Sequence, residues 1–542
     1  MSAPRAPRSH PVVVIGLDAC DPDLVERWIK EGRLPFLRSL VEAGVWARLR
    51  SYGNLFSDSP WPSFAAGVSP AKHGFYNSQH IKRGTTDIET TRAAFGRYLP
   101  FWWMLRNSGK KALVFDVPKT APIAGVDGVQ VASWGEHFGL FNTSSLPPAL
   151  ADEVQRTFGK YRHASEIIEP KRVSQELRLH HTITRAVEHK LRVAQFLLKQ
   201  DAWDLFVSVF AESHYGGHQF LHRSDDTHWA HHHSARHHLL DDSLPAIYSR
   251  LDAAVAELFH SIPADATLFV VSVHGIETNF SANHLVPAVL EGLGLQVRPA
   301  NLATGGSGRG NVLSTLRSFV PGPLRDLINS RLPQSTQDKL FSRMFSARID
   351  WKRTQAFSLP SGDFQGFISI NLHGREPWGT IRPGAEYREL CERIRYEMKR
   401  LINPATGRPA VEEVVLTAQV FEGENLYELA DLVIQWSKDA PIHDLHHPDL
   451  GTISGSAVKL RRAQHAPQGF MIASGAHISR GAVATEASIL DLAPTILYLM
   501  GQPVPRDADG RVLLEIIDPD FKAHSEVRFE NRPLVVPETM RL

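Results

Sequence analysis

Short apolar runs recur along the chain, and several end abruptly in a residue able to hold a metal or a proton. Pro11–Asp18 (PVVVIGLD) is a β-branched run closing on a glycine and an acid; Lys111–Val117, Leu205–Phe210 (LFVSVF) and Leu268–Val273 (LFVVSV) share its character. Continuous rather than alternating apolar positions predict strands buried on both faces, as in a parallel sheet covered by helices. The polar residues at the ends of these runs are Asp18, then Glu212 and His214, then His274. Ligand-type groups at the carboxyl ends of strands are the expected site geometry of an open α/β sheet. Helical spacing covers about 22–43, broken near Gly32 and Pro35, and returns over about 186–199.

The pattern changes between about 295 and 353. Asn301–Asn311 (NLATGGSGRGN) is loop-like, and Pro321, Pro323 and Pro333 punctuate short helical pieces. A second α/β portion resumes at Phe367–Asn371, with a strand expected at Asp431–Ile434 and a helix at Ala487–Met500, before a polar tail. The expected divisions are an N-terminal core part over 1–294, an insertion or cap over 295–355, a C-terminal core part over 356–515 and a tail over 516–542.

Composition narrows the chemistry. The 542 residues are 43% hydrophobic and 22% charged, with a formal net charge of +1, so no global field points to nucleic acid or an anionic membrane. Two distant cysteines, Cys20 and Cys391, supply neither a disulfide framework nor a cysteine zinc site. Histidine is abundant, at 27, so a metal site would be built from His with Asp and Glu. There is no apolar segment of signal-peptide or membrane-spanning type, and the expectation is a cytoplasmic protein. The sequence leaves its oligomeric state open.

Blocks along the chain resemble one family. Gly16-Leu17-Asp18, Leu34–Leu37 with Gly44-Val45, and Trp61–Gly74 (WPSFAAGVSPAKHG) look like the N-terminal signature of type I phosphodiesterases. Glu212–Phe220 (ESHYGGHQF), Ser272–Gly275 (SVHG), Ile370–Gly379 (INLHGREPWG), Glu386-Tyr387, His465–Gly475 (HAPQGFMIASG) and Ile489–Leu499 (ILDLAPTILYL) continue it in family order. The sequence therefore resembles the type I phosphodiesterase/nucleotide pyrophosphatase branch of the alkaline phosphatase superfamily. The resemblance implies an α/β three-layer sandwich with a mostly parallel central sheet and an inserted cap region.

It also implies two divalent metal ions, zinc with manganese as the alternative, and a serine or threonine nucleophile. By position, Ser57 is the nucleophile, ten residues before Gly67, with Ser59 as its competitor. Asp18 and His274 match ligands of one metal, with Ser57 joining them, and His214, His218 and His465 match ligands of the other. Two ions roughly 4 Å apart would clamp the attacking and leaving oxygens of an in-line displacement, and coordination would activate a hydroxyl that is a poor nucleophile near neutral pH.

Three positions depart from the family pattern. Val273 stands where an Asp precedes the His, His214 stands where an Asp lies four residues before the next His, and Pro60 replaces a phosphate-contacting Asn. The site is thereby short of two carboxylates, and Glu212 and Glu277 are the auxiliary acids near enough in sequence to compensate. Excess positive charge favours a phosphomonoester dianion over a diester monoanion. The expected function is hydrolysis of a small-molecule phosphate ester through a phosphoseryl intermediate, with no nucleic-acid partner. The alternatives are a non-catalytic binding protein, a phosphomutase or a phosphonate hydrolase. A sulfatase is disfavoured because Cys20-Asp21-Pro22 lacks the arginine of that signature. The His-rich stretch His222–His238 reads as a solvated polar segment, the cluster of His443, His446 and His447 as a loop, and Arg375-Glu376 as a structural pair with a substrate role open to Arg375.

Overall fold

The computed structural model describes residues 10–91, 95–135, 141–162, 172–225, 227–228, 230–231, 240–300, 334–360, 365–455 and 461–532. Seven strands of the principal sheet come in chain order as β1 (Val12–Leu17), β2 (Val45–Arg50), β3 (Ala112–Phe115), β4 (Gly128–Ala132), β5 (Ser144–Leu146), β6 (Leu205–Phe210) and β7 (Thr267–Ser272). Then follow β8 (Gly275–Thr278), β9 (Ala356–Ser358), β10 (Gly366–Ile370), β11 (Val411–Leu416), β12 (Leu432–Trp436) and β13 (Ala463–Ala466). The eighth strand of the principal sheet is β14 (Gln468–Gly475).

The principal sheet runs β2-β14-β7-β1-β6-β3-β4-β5. Strands β7, β1, β6, β3 and β4 are mutually parallel, whereas β14 runs antiparallel to both β2 and β7, and β5 is antiparallel to β4. Every residue of β1, β6 and β7 is buried. That is the cause of their unbroken apolar character, since helices cover both faces.

One face is packed by α1 (Pro22–Lys30), α2 (Pro35–Ala43), α4 (Val173–Leu198), α5 (Glu212–Ser224) and α6 (Ser243–Phe259); the other by α3 (Pro60–Ala66) and α8 (Leu492–Leu499), with α7 (Ala385–Lys399) serving the smaller sheet. Helix α1 begins where Asp21 accepts from the amides of Asp23 and Leu24, which satisfies two of the donors orphaned at a helix start. The helix expected over 186–199 is longer, because α4 starts at Val173. Its first turns are polar, and there Glu176 is buried against Arg223. This is the three-layer α/β architecture expected, with one addition: β14 enters the parallel sheet antiparallel from far along the chain.

Strands β9-β10-β12-β11 form a separate antiparallel sheet with its own apolar cores. The described residues between 356 and 436, grouped with the core in the sequence reading, supply the four strands of this smaller sheet. The chain rejoins the principal sheet only at β14. Of the segment 295–355, residues 301–333 lie outside the described residues, including the loop-like Asn301–Asn311.

Candidate metal centre

Asp18 follows β1 directly. Its amide is held by the Phe210 carbonyl at 2.9 Å and its carbonyl receives the Ser213 hydroxyl at 2.6 Å, so the backbone is fixed between the ends of β1 and β6. One carboxylate oxygen, Oδ1, accepts the Trp61 indole N–H at 2.6 Å and lies 3.4 Å from His274 Nε2; the other, Oδ2, meets His214 Nδ1 at 3.0 Å.

Helix α5 brings His214 and His218 to one side, as spacing i, i+4 requires. It is pressed close to its neighbours: a Cβ at Gly217 would lie 2.5 Å from Ile276 Cδ1. His274 follows β7, where the Ser272 hydroxyl donates to its carbonyl at 2.8 Å and accepts from the Cys20 amide at 3.0 Å. His465 comes from β13, opposite Ile276 of β8.

The four imidazoles form one buried cluster, each at most 5% exposed, around an Asp18 with no exposure. Ring centroids are 4.1 Å apart for His274 and His465, 4.6 Å for His214 and His218, and 4.9 Å for His214 and His465. Donor atoms of His214, His274 and His465 all lie within 4.8 Å of one another. Burial, reinforced by the neighbouring imidazoles, holds His465 well below the usual histidine range, so it stays neutral and keeps a nitrogen lone pair.

The donor set suits a cation. His274 Nδ1 faces the Gly275 carbonyl at 3.1 Å, and a carbonyl can only accept, so the proton belongs on Nδ1. In the neutral ring Nε2 then turns a lone pair towards Asp18 Oδ1. Two electron-pair donors facing each other in a buried site are what a divalent ion satisfies. His218 is oriented in the same way, with Nδ1 against the Ala463 carbonyl at 2.9 Å.

Ser57 lies half-buried in the turn before α3. The preceding loop is pressed onto the cluster, since a Cβ at Gly53 would lie 2.9 Å from His274 Cβ and 2.9 Å from the Ala466 carbonyl oxygen. Ser59 is fully buried and its hydroxyl donates to the Phe56 carbonyl at 3.0 Å. Asp58 accepts from the Ser78 amide and hydroxyl at 2.8 and 2.7 Å and lies 3.5 Å from Lys119 Nζ. Downstream, the signature block closes on itself: Ser63 Oγ bonds His73 Nε2 at 2.9 Å, and the Phe75 amide donates to His73 Nδ1 at 3.2 Å.

Neither auxiliary acid is part of the histidine cluster. The Glu212 carboxylate takes the Tyr161 hydroxyl at 2.6 Å, and burial raises its pKa against the opposing charge of Lys190, whose ammonium sits 2.7 Å from Asp116. Glu277 is bound by Lys438 at 2.6 Å and Gln464 at 2.9 Å, its cross-strand partner. Strand alternation puts it on the face opposite Ile276 and His465. Val273 is fully buried in an apolar layer.

The solvated reading of the His-rich stretch does not hold for His222 and His228. His222 and His228 are each 1% exposed. His222 bonds Arg462 at 2.9 Å and is pushed down to about 2, chiefly by burial, while His228 holds the Arg462 carbonyl at 2.9 Å. His232, His233, His237 and His238 lie outside the described residues. His446 and His447 fall in a strand, Asp444–His447, rather than a loop; His447 bonds Glu397 at 3.1 Å, and Arg400 joins Glu397 to Asp449. Arg375 grips both oxygens of Asp431 at 2.9 and 2.6 Å, a structural role. Sequence reading missed Trp61 as a partner of Asp18, and Lys190, Asp116 and Tyr161 behind α5. The available signal was a lysine on the apolar stripe of α4.

The sheet order and the two helical layers are those of an alkaline phosphatase-like α/β fold, with the histidine-aspartate cluster at the strand ends. Residues 12–293 match the type I phosphodiesterase / nucleotide pyrophosphatase family, and the chain belongs to that family of phosphoric ester hydrolases. Among solved structures, alkaline phosphatase PafA superposes with a TM-score of 0.52 at 13% identity, over 95% of this chain and 100% of that one, a likeness of fold. Phosphonoacetate hydrolase from Sinorhizobium meliloti 1021 gives 0.49 at 12% identity over 92% and 96% of the two chains. Human ectonucleotide pyrophosphatase / phosphodiesterase 5 gives 0.47 at 9% over 94% and 100%. No curated protein matches the chain. Divalent-metal dependence is general in this superfamily, and among the described residues no helix is long and apolar enough to cross a membrane.

Proposed function

We propose that this protein hydrolyses a small phosphate ester by attack of Ser57 on phosphorus, through a phosphoseryl intermediate that water then cleaves. The observation that supports the reading is the convergence of Asp18 and His274 just after β1 and β7 with His214 and His218 of α5 and His465 of β13, with Gly53 of the loop before Ser57 packed against His274. Divalent metal, zinc with manganese as the alternative, would be held by these five side chains with Ser57, two ions being the family expectation, and would supply electrostatic stabilisation of charge developing on the phosphoryl and leaving oxygens. Asp18 orients His214 and is itself fixed by Trp61. Gly53 lets the loop approach His274, and the Ser63–His73 bond keeps α3 and the following turn in place. The Ser59 hydroxyl donates to the Phe56 carbonyl of its own loop, which supports Ser57 over Ser59 as the nucleophile.

The single carboxylate leaves the centre electropositive, which favours a monoester dianion over a diester. The segment 295–355 is the proposed determinant of specificity, and a phosphomutase or phosphonate hydrolase would share the same nucleophile and donors. The non-catalytic alternative rests on Val273. Release of p-nitrophenol from mono- and diesters, with and without chelator, tests the reading. Ser57→Ala should abolish turnover and Ser59→Ala should retain it. Turnover retained in Ser57→Ala and lost in a folded Ser59→Ala would move the nucleophile, and no turnover by the metal-loaded wild type would favour the binding protein.

A further inference from the structure

We infer that this centre binds one divalent ion tightly and admits a second only together with the phosphate group of its substrate. The inference rests on the metal-dependent reading above. The argument is one of charge. Asp18 is the only carboxylate in the cluster, among the described residues, and the other four donors are imidazoles.

The nearby acids each hold a partner elsewhere, Glu212 through one of its two oxygens. Glu212 holds Tyr161, Glu277 holds Lys438 and Gln464, and Asp58 holds Ser78 and faces Lys119. Asp21 accepts from the amides of Asp23, Leu24 and Ile276. Val273 lies in the apolar layer and offers no donor. Asp18 Oδ1 accepts from Trp61 and faces His274 Nε2, and Oδ2 meets His214 Nδ1.

One divalent ion with Asp18 leaves a single net positive charge, which a buried site with neutral imidazoles can tolerate. Two ions with the same carboxylate leave three, and their mutual repulsion is fourfold that of unit charges at the same distance. A phosphate dianion restores the balance: two ions, Asp18 and the dianion again sum to a single positive charge. His214, His274 and His465, whose donor atoms lie within 4.8 Å of one another, are assigned with Asp18 to the tight ion. His218 is left to serve the second.

The test is zinc stoichiometry on the chelator-stripped full chain, by calorimetric titration and elemental analysis, with zinc alone and then with zinc and inorganic phosphate. One zinc per chain is expected without phosphate and two with it, the second site tightening by about tenfold or more through linkage. His465→Ala should lose the tight ion. His214→Asp, which supplies one of the two missing negative charges, should bind a second ion without phosphate more tightly than the wild type does. If Val273→Asp folds, it should behave likewise; the conclusion does not depend on it. Two zinc ions bound equally tightly in phosphate-free wild type, or one with and without phosphate, would overturn the inference while p-nitrophenyl phosphate turnover still upheld the function. Absence of both zinc binding and turnover would instead sink the functional reading itself.

Discussion

His73 makes the signature block acid-sensitive, and the size of the effect follows from its surroundings. Its ring is 3% exposed, with both nitrogens engaged by Ser63 and the Phe75 amide, and burial pushes its pKa down to about 3. The unfolded chain protonates this side chain near the ordinary value of about 6.5, so between those two values the unfolded state binds more protons. Stability from His73 is therefore fully present above about pH 6.5 and is lost progressively as pH falls towards 3. Going from pH 7.5 to 5.0 should cost about 2 kcal/mol, and the full window about 5 kcal/mol, against a typical total of about 5–15 kcal/mol. Urea unfolding of the wild type and His73→Gln at both pH values isolates the contribution, because His222, with a shift of the same sign, is common to both proteins. The variant should be destabilised at pH 7.5 and less so at 5.0, the gap shrinking by about 2 kcal/mol. A gap that does not change with pH would refute the neutral, doubly bonded assignment of His73, and with it the clip that holds α3.

Arg375→Lys should lose the two-pronged grip on buried Asp431 and destabilise the protein by about 2–4 kcal/mol in thermal or urea unfolding. Its zinc stoichiometry should stay unchanged, where a substrate-binding role would instead raise KM with stability intact. Gly217→Ala should crowd Ile276 and cost about 1–3 kcal/mol, partly offset by better helix propensity. Because α5 carries His214 and His218, it should also weaken zinc binding in a calorimetric titration. Chelation of the wild type should lower Tm in proportion to the logarithm of the free-metal ratio, and readdition of zinc should restore it; a Tm indifferent to chelator would count against an ion at Asp18.

Most of the fold was legible because its cause is local. Strands β1, β6 and β7 are buried on both faces, so burial itself wrote continuous apolar runs into the sequence. Their ends marked Asp18, His214 and His274, while His218 and His465 came from the ordered family blocks. What resisted reading depends on contacts between distant segments. The place of β14 between β2 and β7 is set by pairing over hundreds of residues and leaves no local trace. The partners of Glu212 and Glu277 lie on Tyr161, Lys438 and Gln464, so proximity in sequence to His214 and His274 misplaced them as auxiliary acids. The buried histidines at 222 and 228 resembled surface residues because nothing in the sequence announces Arg462 as their neighbour.

The late return of β14 also orders events during synthesis. Chains grow from the N-terminus at about 5–20 residues per second, so β1, β6 and β7 emerge well before the strand that must lie between β7 and β2. Until residues 463–475 leave the ribosome, β7 has an open apolar edge on that side and the centre has no His465. A nascent chain stalled before that point carries the whole family match over 12–293, yet lacks one wall of the histidine cluster. The open edge of such a fragment is a template for pairing with other chains until β14 covers it.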